Sequence, residues 1–220
     1  MTYLLRVLLP DVPGSLGFLA AALGEAGGDI RSVDVIAYHE DRTVVDDIVV
    51  DLETPTPPDA LISAARSVGD IEVDSIRPYS GTTNRRGETR MLAELAGDRR
   101  QPKRALQAFV DALPRTMTAG WAIVLDHDDV GTRRLAASSA SPEDDGRVLS
   151  EPPVDSPRGL DAEAEDWIPD SWTVMESSLA AAPMGNDRVL IIGRPGGPDF
   201  LPCEVQHLGD LGTIIGAIVD

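Results

Sequence analysis

The stretch Tyr3-Leu-Leu-Arg-Val-Leu-Leu-Pro-Asp11-Val-Pro-Gly14-Ser-Leu16 decides how the chain is read. The apolar run from Tyr3 to Leu9 stops at Pro10, and the turn Asp11-Val12-Pro13-Gly14 follows. Leu16, Leu19, Ala20 and Leu23 then recur at helical spacing. Gly27-Gly28 closes that helix, and Asp29-Ile30 opens a β-rich run. The order is strand, tight turn, helix, strand. Pro13 fixes φ and Gly14 removes the side-chain wall, so backbone N–H groups at the start of the helix can face a ligand. Such a terminus favours a carboxylate or a phosphate. Asp11 is expected to cap the helix.

Working outward, Ile30–Tyr38 and Val44–Leu52 are rich in β-branched residues and flank the polar His39–Thr43, which predicts a hairpin. Pro55, Pro57 and Pro58 break the sheet. Pro58-Asp59 opens a second helix with Leu61, Ile62, Ala65 and Val68 on one side, and Gly69 ends it. Ile71–Arg77 alternates apolar and polar residues, the pattern of a half-buried strand. Strand, helix, strand, strand, helix, strand is the ferredoxin-like order βαββαβ. Two helices cover one face of such a sheet. The other face and the edges need cover, which a second copy supplies.

Residues Asp11, Pro13, Gly14 and Leu16, with Gly27, Gly28, Asp29 and Ile30, make residues 1–79 resemble the ACT domain. The resemblance implies a small α+β module that binds an amino acid, or a similar small effector, at the interface of a homodimer. It implies ligand contacts from Asp11, Val12, Pro13, Gly14, Ser15 and Leu16, and from Asp29 and Ile30 of a neighbouring copy. Many such modules carry Asn where this chain has Asp29. A carboxylate there suits the ligand's ammonium group rather than its carboxylate.

Composition bounds the rest. The 220 residues fit one large or two small domains, and 42% hydrophobic residues suffice for a core. Aromatics are 4%, so that core is aliphatic. Lys+Arg 19 against Asp+Glu 37 gives a net charge of −18, a field that repels nucleic acid and anionic membrane. Neither is expected as a partner. No apolar stretch reaches the roughly 18–20 residues of a membrane span. The start of the chain lacks the features of a signal peptide. Cys203 is the lone cysteine, which excludes an internal disulfide framework and a multi-cysteine zinc site. A reducing cytoplasm is the expected location.

Residues 80–90 read as a linker. Between Gly81 and Arg104 stand seven Lys/Arg and three Asp/Glu, a local +4 read as a solvated linker rather than a phosphate contact. From 91 onward, Met91–Ala96 predicts a short helical piece and Gln101–Leu113 an amphipathic helix with Leu106, Phe109, Val110 and Leu113 on one stripe. Trp121–Asp126 and Arg133–Ser139 predict strands. Trp172–Pro183 and Arg188–Gly193 predict a hairpin, and Phe200–Val219 a closing helix. Residues 141–170 are rich in Pro, Asp, Glu and Ser and read as a long acidic loop. Within it, Ala162–Asp166 is expected to be an exposed helix anchored by Trp167 and Trp172. The opening helix Ala105–Leu113, the strands Trp121–Asp126, Ser178–Pro183 and Val189–Arg194, and Phe200–Glu204 before the last helix make residues 91–220 resemble a compact GAF-like domain. That implies a second α+β fold with an antiparallel sheet flanked by helices. The region between Ser141 and Trp172 is where such domains build a ligand pocket.

Chemistry beyond the turn is sparse. Asp126-His-Asp-Asp129 reads as a solvated loop rather than a metal site. Cys203 and His207 sit at i, i+4, but two ligands do not complete a zinc site, and they read as a core cysteine and a surface histidine. Gly193–Pro198 lacks the Gly-Lys-Ser/Thr end of a phosphate loop, and no G-x-S-x-G occurs. No metal, cofactor or catalytic group is expected. The chain is therefore expected to be a non-enzymatic regulatory or sensor protein that dimerises, binds an amino acid or similar effector, and acts on a protein target. The competing expectation is a dimeric interaction scaffold without a small-molecule ligand.

Overall fold

β1 (Thr2–Pro10) and β3 (Thr43–Leu52) form the centre of a four-stranded antiparallel sheet in a computed structural model of the chain. The structure describes residues 1–53, 56–79, 86–97, 101–150, 152, 154–185 and 187–219. The edges of the sheet are β2 (Gly28–Tyr38) beside β3 and β4 (Glu72–Pro78) beside β1. α1 (Ser15–Glu25) joins β1 to β2, and α2 (Asp59–Arg66) precedes β4. Residues 1–83 form one compact unit and 84–220 another.

Alternation assigns the faces of the first sheet. Leu5, Val7 and Leu9 on β1 and Val44, Ile48, Val50 and Leu52 on β3 pack with Leu19 and Leu23 of α1 and Leu61 and Ala65 of α2. Arg6 and Asp47 stand opposite each other on the reverse face. They make a buried bidentate pair, Nε to Oδ1 at 2.7 Å and Nη2 to Oδ2 at 2.8 Å. Burying such a pair costs desolvation, and removing either partner would leave an uncompensated charge inside the sheet. The sequence hides this, because Arg6 reads as an interruption of an apolar strand.

Gly28 explains why the restart after α1 needs glycine. A Cβ there would stand 2.8 Å from Val50 Cγ1 and 2.9 Å from the Leu23 carbonyl oxygen. The end of the helix therefore closes directly onto the strand.

The second unit holds α3 (Arg86–Gly97), α4 (Pro102–Thr116), β5 (Trp121–Asp128), β6 (Gly131–Ala137), β7 (Arg158–Leu160), β8 (Ser178–Met184), β9 (Arg188–Arg194) and α5 (Pro202–Val219). Its five-stranded antiparallel sheet runs β6-β5-β9-β8-β7. Ala122, Val124, Ala180, Ala182, Leu190 and Ile192 face the three helices. Trp121, Ile123, Leu125, Leu179, Ala181 and Ile191 face the other way. The helices thus lie on one face, and the long loop covers the other.

Several expectations change. Residues 86–90, expected in the linker, are helical. α3 extends one turn further towards its N-terminus, where Glu88 meets His207 of α5 at 3.3 Å. The rest of that linker, 80–85, lies outside the described residues. β8 begins at Ser178 rather than Trp172. The chain before it turns through left-handed φ at Met175 (62°) and Glu176 (51°), which extended strands do not tolerate. Ala162–Asp166 forms turns and no helix, because Glu165 is drawn back to Arg158 and to the Asp161 amide. The short β7 was not anticipated. Three residues at the edge of a Pro-rich loop carry no periodic signal.

Arg194 fastens the end of the second sheet. Its buried guanidinium donates to the carbonyls of Met117, Thr118 and Pro198 and to Glu204 Oε1 at 2.7 Å, and lies 3.9 Å over the Phe200 ring. Glu204 also accepts from the Leu201 amide at 2.8 Å, capping α5.

Candidate functional site

The turn from β1 into α1 is built by conflicting demands on neighbouring residues. Asp11 donates its amide to the Arg42 carbonyl at 2.8 Å, fastening the turn to the β2–β3 loop. The Val12 amide returns to the Pro10 carbonyl, and the Ser15 amide to Val12 at 3.2 Å. Gly14 occupies the cap position with φ 99° and ψ −17°, a conformation that costs a side-chain-bearing residue. No side chain caps the helix, so Asp11 does not play the expected part. It lies three residues before the cap, and its own amide is committed to β3's neighbour.

Among the described residues, the amides of Gly14, Leu16 and Gly17 have no hydrogen-bond partner. Three donors at the positive end of α1 are thus open to an anion. Ser15 is half-buried. Val12, Leu16 and Phe18 are exposed apolar residues around the same turn. Leu16, at helical spacing with Leu19 and Leu23, is exposed, while those two are the buried residues of α1.

Within one protomer, Asp29 and Ile30 lie far from this turn. Asp29 pairs across to Asp51 and Ile30 to Val50, and Asp51 pairs in turn with Thr2 at the start of β1. The turn follows Pro10 at the other end of the same strand. Asp29 is exposed and sits 3.5 Å from Arg31, which also holds Asp51 at 2.7 Å. Ile30 packs against the core.

One residue of this region escaped the sequence reading. Asp46 occupies the helix-facing row of β3, between Val44 and Ile48, and is 2% exposed. Its Oδ1 is buried with no hydrogen-bond partner. Burial, followed by the fields of Asp47 and Asp11, pushes its carboxyl above the usual range. The signal was a charged residue at a core-parity position, masked by the Asp46-Asp47 doublet.

In the second unit, the region expected to build a pocket is filled. Trp167 and Trp172 are buried against Trp121, with ring centroids 6.0 Å (Trp121–Trp172) and 6.1 Å (Trp167–Trp172) apart in edge-to-face geometry. Val154 and Ile168 complete the cover. Glu165 fastens the segment: Arg158 donates to it at 2.7 and 2.6 Å, and the Trp167 indole donates at 2.9 Å. Hydrogen bonding from Arg158 leads the effects that hold its carboxyl down at about 2. A recess of about 290 Å³ remains outside the plug, bordered by Arg147, Leu149, Asp166 and Trp167.

The remaining candidates are spoken for. Asp126 pairs with Arg188 at 3.1 Å, His127 Nδ1 lies 2.8 Å from Thr132 Oγ1, and Asp128 accepts from the Val130 and Gly131 amides. Cys203 is exposed, not a core residue, because it sits on the outer side of α5's first turn. Among the described residues no group of three or more His, Cys, Asp or Glu could hold a metal ion. No described helix is long and apolar enough to cross a membrane.

No family model matches the chain, and no curated protein does. Among solved structures, the GAF domain of an Acinetobacter phosphoenolpyruvate-protein phosphotransferase is similar at 15% identity, over 60% of this chain and 92% of its own, with a TM-score of 0.46. The GAF domain of the Coxiella burnetii phosphoenolpyruvate-protein phosphotransferase is similar at 14% identity, over 62% and 95%, with a TM-score of 0.48. A formyltetrahydrofolate deformylase from Pseudomonas putida shares 10% identity over 36% of this chain and 29% of its own, with a TM-score of 0.29.

Proposed function

We propose that the chain is a non-enzymatic regulatory protein whose first unit is an ACT-type ligand-binding module. The observation that carries this is the set of three partnerless amides, Gly14, Leu16 and Gly17, at the glycine-capped start of α1. Amides aimed outward at a positive helix end suit the carboxylate of an amino acid or similar effector. The exposed Val12, Leu16 and Phe18 beside them suit a second copy, whose Asp29 and Ile30 would close the site from the partner side. Coupling to a protein target would follow from different ligand affinities in two dimer arrangements.

The filled tryptophan face favours a second reading for residues 84–220: this GAF-like unit docks a protein partner rather than enclosing a ligand. Thermal shift against the twenty amino acids tests the first reading. Stabilisation by at least one, at about tenfold above its Kd, is expected to be about 1.4 kcal/mol. No shift with any of them at millimolar concentration overturns it. Sedimentation must also show a dimer, since the partner supplies half of the contacts.

A further inference from the structure

We propose that the carboxyl of Asp46 is a proton-operated latch for the open end of the β2–β3 hairpin, closed when Asp46 is protonated and loosened when it is ionised. The proposal concerns the first unit's own fold and does not depend on what the turn at α1 binds.

Placement comes first. Along the helix-facing row of β3, Ile48, Val50 and Leu52 are packed core, and Asp46 follows them towards the hairpin end. It stands opposite Val7 of β1 and Val35 of β2. Val7 is fully buried, but Val35 is 49% exposed. This row is therefore closed towards the centre of the sheet and thinly covered at the β2 edge. The β2 ladder also shifts register between Val35 and Ala37, directly beyond the pair that Asp46 makes. From there the β2 side is weakly held. Tyr38 is 70% exposed, and Arg42 in the connecting loop holds a left-handed φ of 63°. The end is closed by the His39 amide, which donates to the Thr43 carbonyl at 2.9 Å. An edge with an irregular ladder, exposed side chains and a strained residue is the part of a sheet that opens first. Asp46 sits where that edge meets the packed part of β3.

Chemistry comes second. Asp46 is 2% exposed, and its Oδ1 is buried with no hydrogen-bond partner. A neutral carboxyl tolerates such a place far better than a carboxylate, whose charge has no donor to answer it. The facing residues Val7 and Val35 carry no charge. α1 has none before Glu25, its last residue, and α2 only Asp59 and Arg66 at its two ends. His39, Glu40, Asp41 and Arg42 of the loop are all exposed. Asp47 is held by Arg6 on the reverse face, and both it and Asp11 disfavour a charge on Asp46. Ionisation is therefore relieved by water, and the thinly covered side is the β2 edge past Val35. Admitting water there parts β2 from β3. The effect reaches the start of α1 through one hydrogen bond, from the Asp11 amide to the Arg42 carbonyl at 2.8 Å. Because the closed hairpin binds the proton more tightly than the open one, closure is favoured as pH falls and lost as it rises.

Hydrogen exchange by NMR on the full chain tests this between pH 4.5 and 7.5, each rate being corrected for its intrinsic pH dependence. In wild type the Asp11 and His39 amides are expected to lose about tenfold in protection as pH rises, the change that accompanies a tenfold difference in proton affinity between the closed and open states. The amides of Ile48 and Val50 are expected to change little, and in Asp46→Asn the loss at Asp11 and His39 should vanish. Equal loss in wild type and Asp46→Asn, or no loss in wild type, overturns the latch. A loss shared evenly by Ile48 and Val50 also overturns it, since the proton would then tune the whole unit rather than the hairpin end. Should Asp46→Asn fail to fold, carbon-13 titration of the wild-type Asp46 carboxyl decides. A midpoint above that of the exposed aspartates, coinciding with the loss at Asp11 and His39, supports the latch, and any other midpoint overturns it.

Discussion

Replacing Trp172 by Ala tests whether the second sheet is closed by its own side chains. Among the described residues Trp172 is the largest fully buried side chain, and it stands edge-to-face with both Trp121 and Trp167. Truncating a core tryptophan costs about 3–5 kcal/mol, a sum of lost transfer energy and the cavity left behind. The lost ring pairs contribute within that range at about 0.5–1.5 kcal/mol each. For a unit the size of residues 84–220, the entropy of unfolding is roughly 0.3 kcal/mol/K, so the melting temperature should fall by about 10–15 °C. Calorimetry measures this directly, and near-ultraviolet dichroism should lose the coupled tryptophan signal. Indole has the shape of the missing group. At about tenfold above its Kd it should restore roughly 1.4 kcal/mol, near 5 °C. A fall of less than about 3 °C, or no response to indole in a variant that remains folded, would refute the account of a packed plug.

Three further outcomes follow from individual contacts. Glu165 has its carboxyl held at about 2 against an ordinary 4.5, so its ionised form is favoured by folding. That contribution is present above about pH 4.5 and is lost as pH falls towards 2; Glu165→Gln should cost about 2 kcal/mol at pH 7 and flatten the acid limb of the stability profile, read by urea titration from pH 7 to 2. Arg194→Met leaves Glu204 and several carbonyls without their buried donor, and should cost about 3–5 kcal/mol in chemical denaturation, more than Glu204→Gln. Gly212→Ala places a Cβ 2.5 Å from the Pro183 carbonyl oxygen, forcing α5 off β8, with an expected loss of about 1–3 kcal/mol by thermal melting.

Much of the architecture was legible because it rests on local rules. Apolar or β-branched runs marked β1, β3 and β5, alternation marked β4, and 3.6-residue spacing marked α2, α4 and α5. Pro13 and Gly14 announced the turn that leaves amides open. Those signals belong to a few neighbouring residues, so the sequence alone determines them. It also set the acidic field and the lone cysteine.

Tertiary structure decided what depends on partners distant in the chain. Arg6 became a buried ion pair only because register places Asp47 beside it. Asp11 lost its capping role to the geometry of Gly14. Trp167 and Trp172 became core because a loop without periodicity folds back across a sheet, and Cys203 stayed outside because of the face of α5 it occupies. Asp46 is the clearest instance. Its neighbours in sequence mark only a β-branched strand, while across the sheet it stands opposite Val7 and Val35 with further acids near it. Burial and charge compensation are properties of assembled surroundings, and no window of adjacent residues encodes them.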